Sequence, residues 1–353
     1  VTTAAEPVAA ATPVRLRPRW LAAGGVAVVA AVLLGITVGP AGIRAWPAIE
    51  TLLGHLPLLH VHSGLSVQQA TIVTDLRLPR VIVGLLVGAL LAMAGASYQG
   101  VFRNPLADPY LLGAAAGAGL AVTVVIVATA TGLGGNDPVV PLAAFVGALG
   151  AVALTYALGR SSGGRSPATL LLAGVAIASF LTAIQTYLQQ RHVATIREVY
   201  SWILGRLTTA GWDQVLLILP YFALTSVVLL AHRRVLDVLA VGEPEAETLG
   251  IPVARTRAVI VATASLATAA AVAVSGLIGF VGIIVPHAIR LVTGASYRVI
   301  LPLSILFGGA FLALADVAAR TATAPAEIPI GVVTAFVGAP FFVVVLRSTI
   351  ERR

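Results

Sequence analysis

Along this chain, long runs of apolar residues alternate with short polar segments that carry most of the charge. The pattern has neither the two-residue alternation of half-buried strands nor the apolar stripe of a soluble helix. Its runs are apolar all round, and a helix needs about 20 such residues to cross a bilayer. The runs predict ten helices, over 20–40, 78–102, 110–131, 138–159, 168–190, 213–231, 256–275, 277–293, 299–319 and 328–347. The uncharged stretch from Ala258 to Ile289 is too long for one crossing. Its "SGLIGFVG" (275–282) is expected to break it, because glycine disfavours continuous helix and invites a turn. The expected fold class is therefore an all-α polytopic membrane protein. Residues 1–19, rich in Ala, Pro and Thr, are expected to form a disordered tail. Residues 20–347 form the membrane domain, and 348–353 a short C-terminal tail.

Composition agrees. Of 353 residues, 58% are hydrophobic and only 10% charged, and soluble domains are about one quarter charged. All 22 basic residues are arginine and there is no cysteine. This excludes a P-loop lysine, a Schiff base, a disulfide and a thiolate metal site. The net charge of +8 does not point to nucleic acid, because no basic cluster is interleaved with aromatics. The N-terminal apolar run is longer than the h-region of a cleavable signal. Val1 is read as an alternative start codon.

Arginine bias sets the expected orientation. With the N-terminus inside, fifteen arginines fall on inner segments and seven on outer ones, the positive-inside pattern, with both termini cytoplasmic. The outer seven are Arg44, Arg77, Arg80, Arg191, Arg197, Arg206 and Arg320. Arg77 and Arg80 in "LRLPR" (76–80) and Arg320 in "DVAARTATAPAE" sit at helix ends against that pattern. Two readings stand open: snorkelling to lipid headgroups, or an acidic partner on the outer face.

Three further motifs carry local chemistry. In "QGVFRNPLADPYLLGAAAGAGL" (99–120), Asn104-Pro105 and Asp108-Pro109 stop regular structure, Asp108 is expected to cap the next helix, and Gly113, Gly117 and Gly119 favour close packing. "RRVLDVLAVGEPEAETLGIPVARTR" (233–257) is the longest inner loop. It should hold a short helix led by Glu243, Glu245 and Glu247 and ended by Gly250 and Pro252, serving either as a docking element or as a solvated loop. His287 stands alone, with no second ligand at metal spacing. Asp316 and Arg320, at i,i+4, are placed to pair. Glu327 is expected at a helix start. His55, His60 and His62 lie in a variable outer loop. No catalytic constellation and no cofactor or metal site emerges. That leaves a transporter, either an ion-coupled secondary one or a permease driven by a separate ATPase. The half-to-half similarity of the former is missing, and almost none of its intramembrane charges are present.

The stretches "RLPR" (77–80), "GALLAMAGASYQGVFRNPLADPYLLG" (88–113), "WILGRL" (202–207), "ETLGIPVARTR" (247–257), "GLIGFVGIIVPHAIRLVTG" (276–294) and "PAEIPIGVVTAFVGAPFFVVVLR" (325–347) resemble, in order, the ABC importer permeases for ferric siderophores, haem and vitamin B12. The resemblance implies ten helices per subunit in a bacterial cell membrane and a second permease subunit. It also implies cytoplasmic ATPase subunits, an extracytoplasmic substrate-binding protein and a metal-chelate substrate. Carried over, Arg77, Arg80 and Arg320 would meet acids of the binding protein. The loop with Glu243, Glu245, Glu247, Leu249, Gly250, Arg255 and Arg257 would dock the ATPase. Ile328 after the glutamate and "SGLIG" in place of Gly-Pro-Ile depart mildly from the family pattern.

Overall fold

The computed structural model describes residues 16–39, 41–54, 64–129, 139–161 and 167–350. The three loop histidines, most of the N-terminal tail and residues 351–353 lie outside them. Ten principal helices follow the predicted order: α1 (Pro18–Thr37), α2 (Leu78–Val101), α3 (Ala114–Thr129), α4 (Val139–Ser161), α5 (Pro167–Arg191), α6 (Trp212–Ala231), α7 (Val253–Ser275), α8 (Val281–Thr293), α9 (Tyr297–Thr321) and α10 (Ile330–Ile350). Among the described residues, seven spans are long and apolar enough to cross a membrane, and α3, α8 and α10 contribute shorter apolar stretches. The face holding the N-terminus of α1 is called the near face, its opposite the far face.

The bundle is built around α2. Some 83% of its span is buried, against 22% for α1 and for α5, so α2 is the axis and those two form the rim. It packs on α9, α7, α8 and α6. Apolar area alone does not hold helices together in lipid, so close backbone approach must. A Cβ on Gly88 would stand 2.2 Å from the Gly308 carbonyl oxygen of α9, and one on Gly95 would stand 1.9 Å from that of Gly282 in α8. Glycine is therefore required at both crossings.

Two of the non-helical segments matter for the centre of the bundle. At about 1.5 Å per residue, the 13 residues of α8 span only about 20 Å of a core about 30 Å thick. Residues 276–280 supply the rest as an irregular segment, entered at Gly276 (φ +69°) and left at Phe280 (φ +70°). Residues 102–113 end α2 and turn back into the bundle. Asn104 and Asp108 each accept a backbone N–H two residues on, at 2.9 and 2.7 Å. Asp108 thus closes a turn of its own and does not cap α3, which starts six residues later, after Gly113 (φ +85°). The expected helix at 110–131 is shortened for that reason, and the one at 277–293 by the irregular segment before α8. The two irregular segments meet. The Tyr110 hydroxyl donates to the Ile278 carbonyl and accepts from the Ile278 N–H, both at 3.1 Å. Irregular backbone at this depth survives only when protein satisfies it.

Gly95→Ala should lower the thermal midpoint of the detergent-solubilised protein by the equivalent of about 3 kcal/mol, the upper end of overpacking costs. Gly25→Ala, on α1 with open space around the new methyl, should leave the midpoint unchanged or raise it slightly.

Candidate functional site

Charge gathers in two places, one on each face. The far-face cluster begins with the entry to α2. A capped turn, Val67–Thr71, runs through a π-helical stretch, Ile72–Arg77, into α2. Arg77, at the end of that wider turn, is 5% exposed. It donates to the carbonyls of Ile36 at 2.7 Å and Thr37 at 3.3 Å, in the last turn of α1. Arg320 in α9 is 3% exposed and donates to the Gly35 carbonyl, one residue earlier. The last carbonyls of a helix have no partner within it and carry the negative end of its dipole. Two guanidiniums, one from the turn entering α2 and one from α9, answer that need for α1.

Arg80 holds the carboxylates. Its Nε and Nη2 donate to Asp316 at 2.7–3.0 Å, and its Nη1 and Nη2 donate to Glu327 at 3.0 and 2.8 Å. Asp316 also faces Arg320, 3.6 Å away, as the i,i+4 spacing predicts. Asp316 is buried, while the Glu327 side chain remains 30% exposed. Arg80 and Arg320 face the two carboxylates, while Arg77, a charged neighbour of Arg320, and Arg206, on the wall of the adjoining cavity, leave the far-face group with a surplus of positive charge. A cavity of about 240 Å³ opens beside it, lined by Arg80, Arg206, Thr208, Asp316, Glu327 and Ile330. Arg77, Arg80 and Arg320, the three outward arginines that the sequence places at helix ends, lie close together on the far face. The sequence missed that two of them are buried and that Glu327 does not start α10 but is tied to Arg80. No spacing along the chain could reveal that pair, which joins residues 247 positions apart.

The near-face loop folds as two short helices, Arg233–Val241 and Glu243–Thr248, the second where the acidic run predicts it. Gly250 (φ +75°) ends it. The predicted residues divide into two groups. Glu243 pairs with the buried Arg257 of α7, which locks the loop to the bundle. Glu245, Glu247, Gly250 and Arg255 are exposed, and Leu249 is an apolar side chain 69% exposed among them. Asp237 carries a role the sequence did not reveal. It accepts from Ser296 Oγ (2.9 Å) and Tyr297 N (2.5 Å) and pairs with Arg298 (3.2 Å), so it caps α9 and ties the loop to it.

His287 sits edge-on to Phe341 of α10. Beside α10 an apolar cavity of about 680 Å³ is lined by Leu204, Leu277, Phe280, Val332, Phe336 and Pro340. Phe336 is 75% exposed, and α5 also presents Leu172, Val175 and Phe180 outward.

These features define a membrane permease: a bundle with broken helices at its centre, a charged far face and a docked near-face loop. The chain belongs to the FecCD transport family, whose description matches residues 27–348. It is 41% identical to the cobalamin import system permease protein BtuC of Halobacterium salinarum, over 93% of this chain and 96% of that one. It is 38% identical to the hemin transport system permease protein HmuU of Yersinia pestis, over 79% and 84%. A solved metal-chelate type ABC transporter in an inward-facing conformation superposes with a TM-score of 0.81 at 28% identity, covering 94% of this chain and all of that one.

Removing the carboxylate beneath Arg80 leaves two guanidiniums facing each other with little water. Asp316→Ala should cost about 3–5 kcal/mol of stability. Glu327→Gln, at the wetter side of the same fork, should cost about 1 kcal/mol or less. Chemical denaturation in detergent separates the two, and equal effects would contradict the burial difference.

Proposed function

We propose that this chain is the membrane-spanning permease of an ATP-binding-cassette importer carrying a metal chelate, such as a ferric siderophore, haem or cobalamin, into a bacterial cytoplasm. The observation that carries this reading is the family match over 27–348, joined to the superposition on a metal-chelate transporter. Of the two relatives named, the cobalamin permease shares more residues, which makes cobalamin the first chelate to test. The near face is cytoplasmic, with both termini there, in keeping with the arginine bias. The chain works as a transport subunit and hydrolyses no ATP itself. The apolar faces of α5 and α10 and the cavity beside α10 suit a second copy and the pathway between the two.

The far-face cluster is the docking site for an extracytoplasmic binding protein. Its surplus positive charge attracts acidic lobes and raises the association rate. Arg77 and Arg320 act from beneath, since both are buried against α1. Arg80 meets the partner by exchanging the exposed Glu327 for a carboxylate of the binding protein. On the near face, the ATPase seats on Leu249 with Glu245, Glu247 and Arg255 around it. Glu243 and Arg257 hold that platform to α7.

The full chain, reconstituted with its ATPase and binding protein, should take up chelate only when ATP is supplied. Uptake driven by a proton or sodium gradient alone would mark an ion-coupled secondary transporter. For docking, Arg80→Gln should weaken binding-protein affinity about tenfold and flatten its dependence on salt. Glu327→Gln, which frees Arg80, should tighten it, and weakening by both variants would leave the cluster a purely structural device. Leu249→Asp, or Glu245→Arg with Glu247→Arg, should release the ATPase during purification while the permease stays folded. An intact complex in those variants would make the loop merely solvated.

A further inference from the structure

A groove on the membrane surface of the bundle, separate from the far-face cluster and from the 233–257 loop, has no part in transport as proposed above. It has a volume of about 360 Å³, and almost everything that lines it is apolar. Its floor is α9, through Leu303, Phe307 and Phe311. One wall is α8, through Ile284, Ala288 and Val292. The other wall is a single residue of α1, Trp20, because α1 leans onto α9 just beyond it, at Gly24 against Leu306.

Its length and its ends identify the occupant. From Leu303 to Phe311 the floor rises eight residues, about 12 Å. That is close to half of a hydrocarbon core about 30 Å thick. The groove starts at the near face, where Trp20 and Thr293 stand, and stops near the middle of the membrane. A helix of a partner protein would need a groove of full membrane length, whereas one acyl chain of a near-face lipid needs half of it. The near end also carries charge. The Arg19 guanidinium lies over the Trp20 ring, 5.1 Å from its centroid, and Arg17 and Arg19 are both exposed. Tryptophan at this depth marks the interface, and arginines beside it attract anionic headgroups.

We infer that this groove is a binding site for one anionic phospholipid of the near-face leaflet. One acyl chain lies between α1 and α8 over Phe307, and the phosphate meets Arg17 and Arg19. The site gives α8 a fixed neighbour on the side away from α2. This inference does not depend on the transported substrate or on the ATPase.

Trp20 is the reporter. The full chain is reconstituted in phosphatidylcholine vesicles containing phosphatidylglycerol brominated at mid-chain, which quenches tryptophan it touches. Subtracting the signal of a Trp20→Phe variant isolates Trp20 from the other three tryptophans. Quenching of Trp20 should reach half its maximum at several-fold lower bromolipid content for brominated phosphatidylglycerol than for brominated phosphatidylcholine. Arg17→Gln with Arg19→Gln should make the two curves coincide. Ala288→Trp, which fills the groove, should abolish retention of tightly bound phosphatidylglycerol in native mass spectrometry. The Arg double variant lies outside the packed core, so it tests the site even if the filled variant fails to fold. Identical curves for both lipids in the unmodified protein would mean ordinary boundary lipid and overturn the inference. An absence of quenching by either lipid would mean that protein covers the groove, and would overturn it equally.

Discussion

No water reaches the centre of a bilayer, so every backbone N–H and C=O there must find its partner within the protein. That constraint explains where this chain places its polar side chains. Helix α1 ends with carbonyls at Gly35, Ile36 and Thr37 that no residue of α1 can satisfy, and Arg77, just before α2, and Arg320 of α9 reach across to take them. The irregular segments around α2 meet the same demand through Asn104, Asp108 and Tyr110. On the near face Asp237 does for the first N–H groups of α9 what the arginines do for the last carbonyls of α1.

Burying those arginines creates the next demand. A guanidinium out of water needs a counter-charge, and two of them close together need it more. Asp316 stands between Arg80 and Arg320 and serves both. Glu327 completes the fork from the segment leading into α10, whose Gly331 N–H bonds to the Leu204 carbonyl at 3.1 Å. One chain of interactions thus runs from the end of α1 through α2 and α9 to the start of α10. It joins the rim of the bundle to the helix that borders the large apolar cavity.

Most of the fold was legible in the sequence because lipid imposes a simple grammar: apolar runs of helical length, glycines at crossings, arginines at ends. All ten principal helices, the break at 275–282 and the short acidic helix at 243–248 follow from that grammar. It fails where length and pairing depend on distant residues. Asp108-Pro109 has the spelling of a helix start, yet the turn it makes is held in place by α8 and the irregular segment before it. Glu327 likewise has the spelling of a cap, and only the folded bundle shows its tie to Arg80. Within the candidate sites, the sequence could say which charged residues stand at helix ends, but not that Arg77, Arg257 and Arg320 are buried. An arginine that docks a partner and an arginine that seals a helix end occupy the same kind of sequence position.

The hydroxyl of Tyr110 touches both polar atoms of Ile278 and so joins two irregular segments through a single oxygen. A ladder of bonds would resist both sliding and turning. One oxygen is instead a single fastening: without it, the N–H and the carbonyl of Ile278 would lose their partner together, and the segment before α3 would lose its tie to the segment before α8.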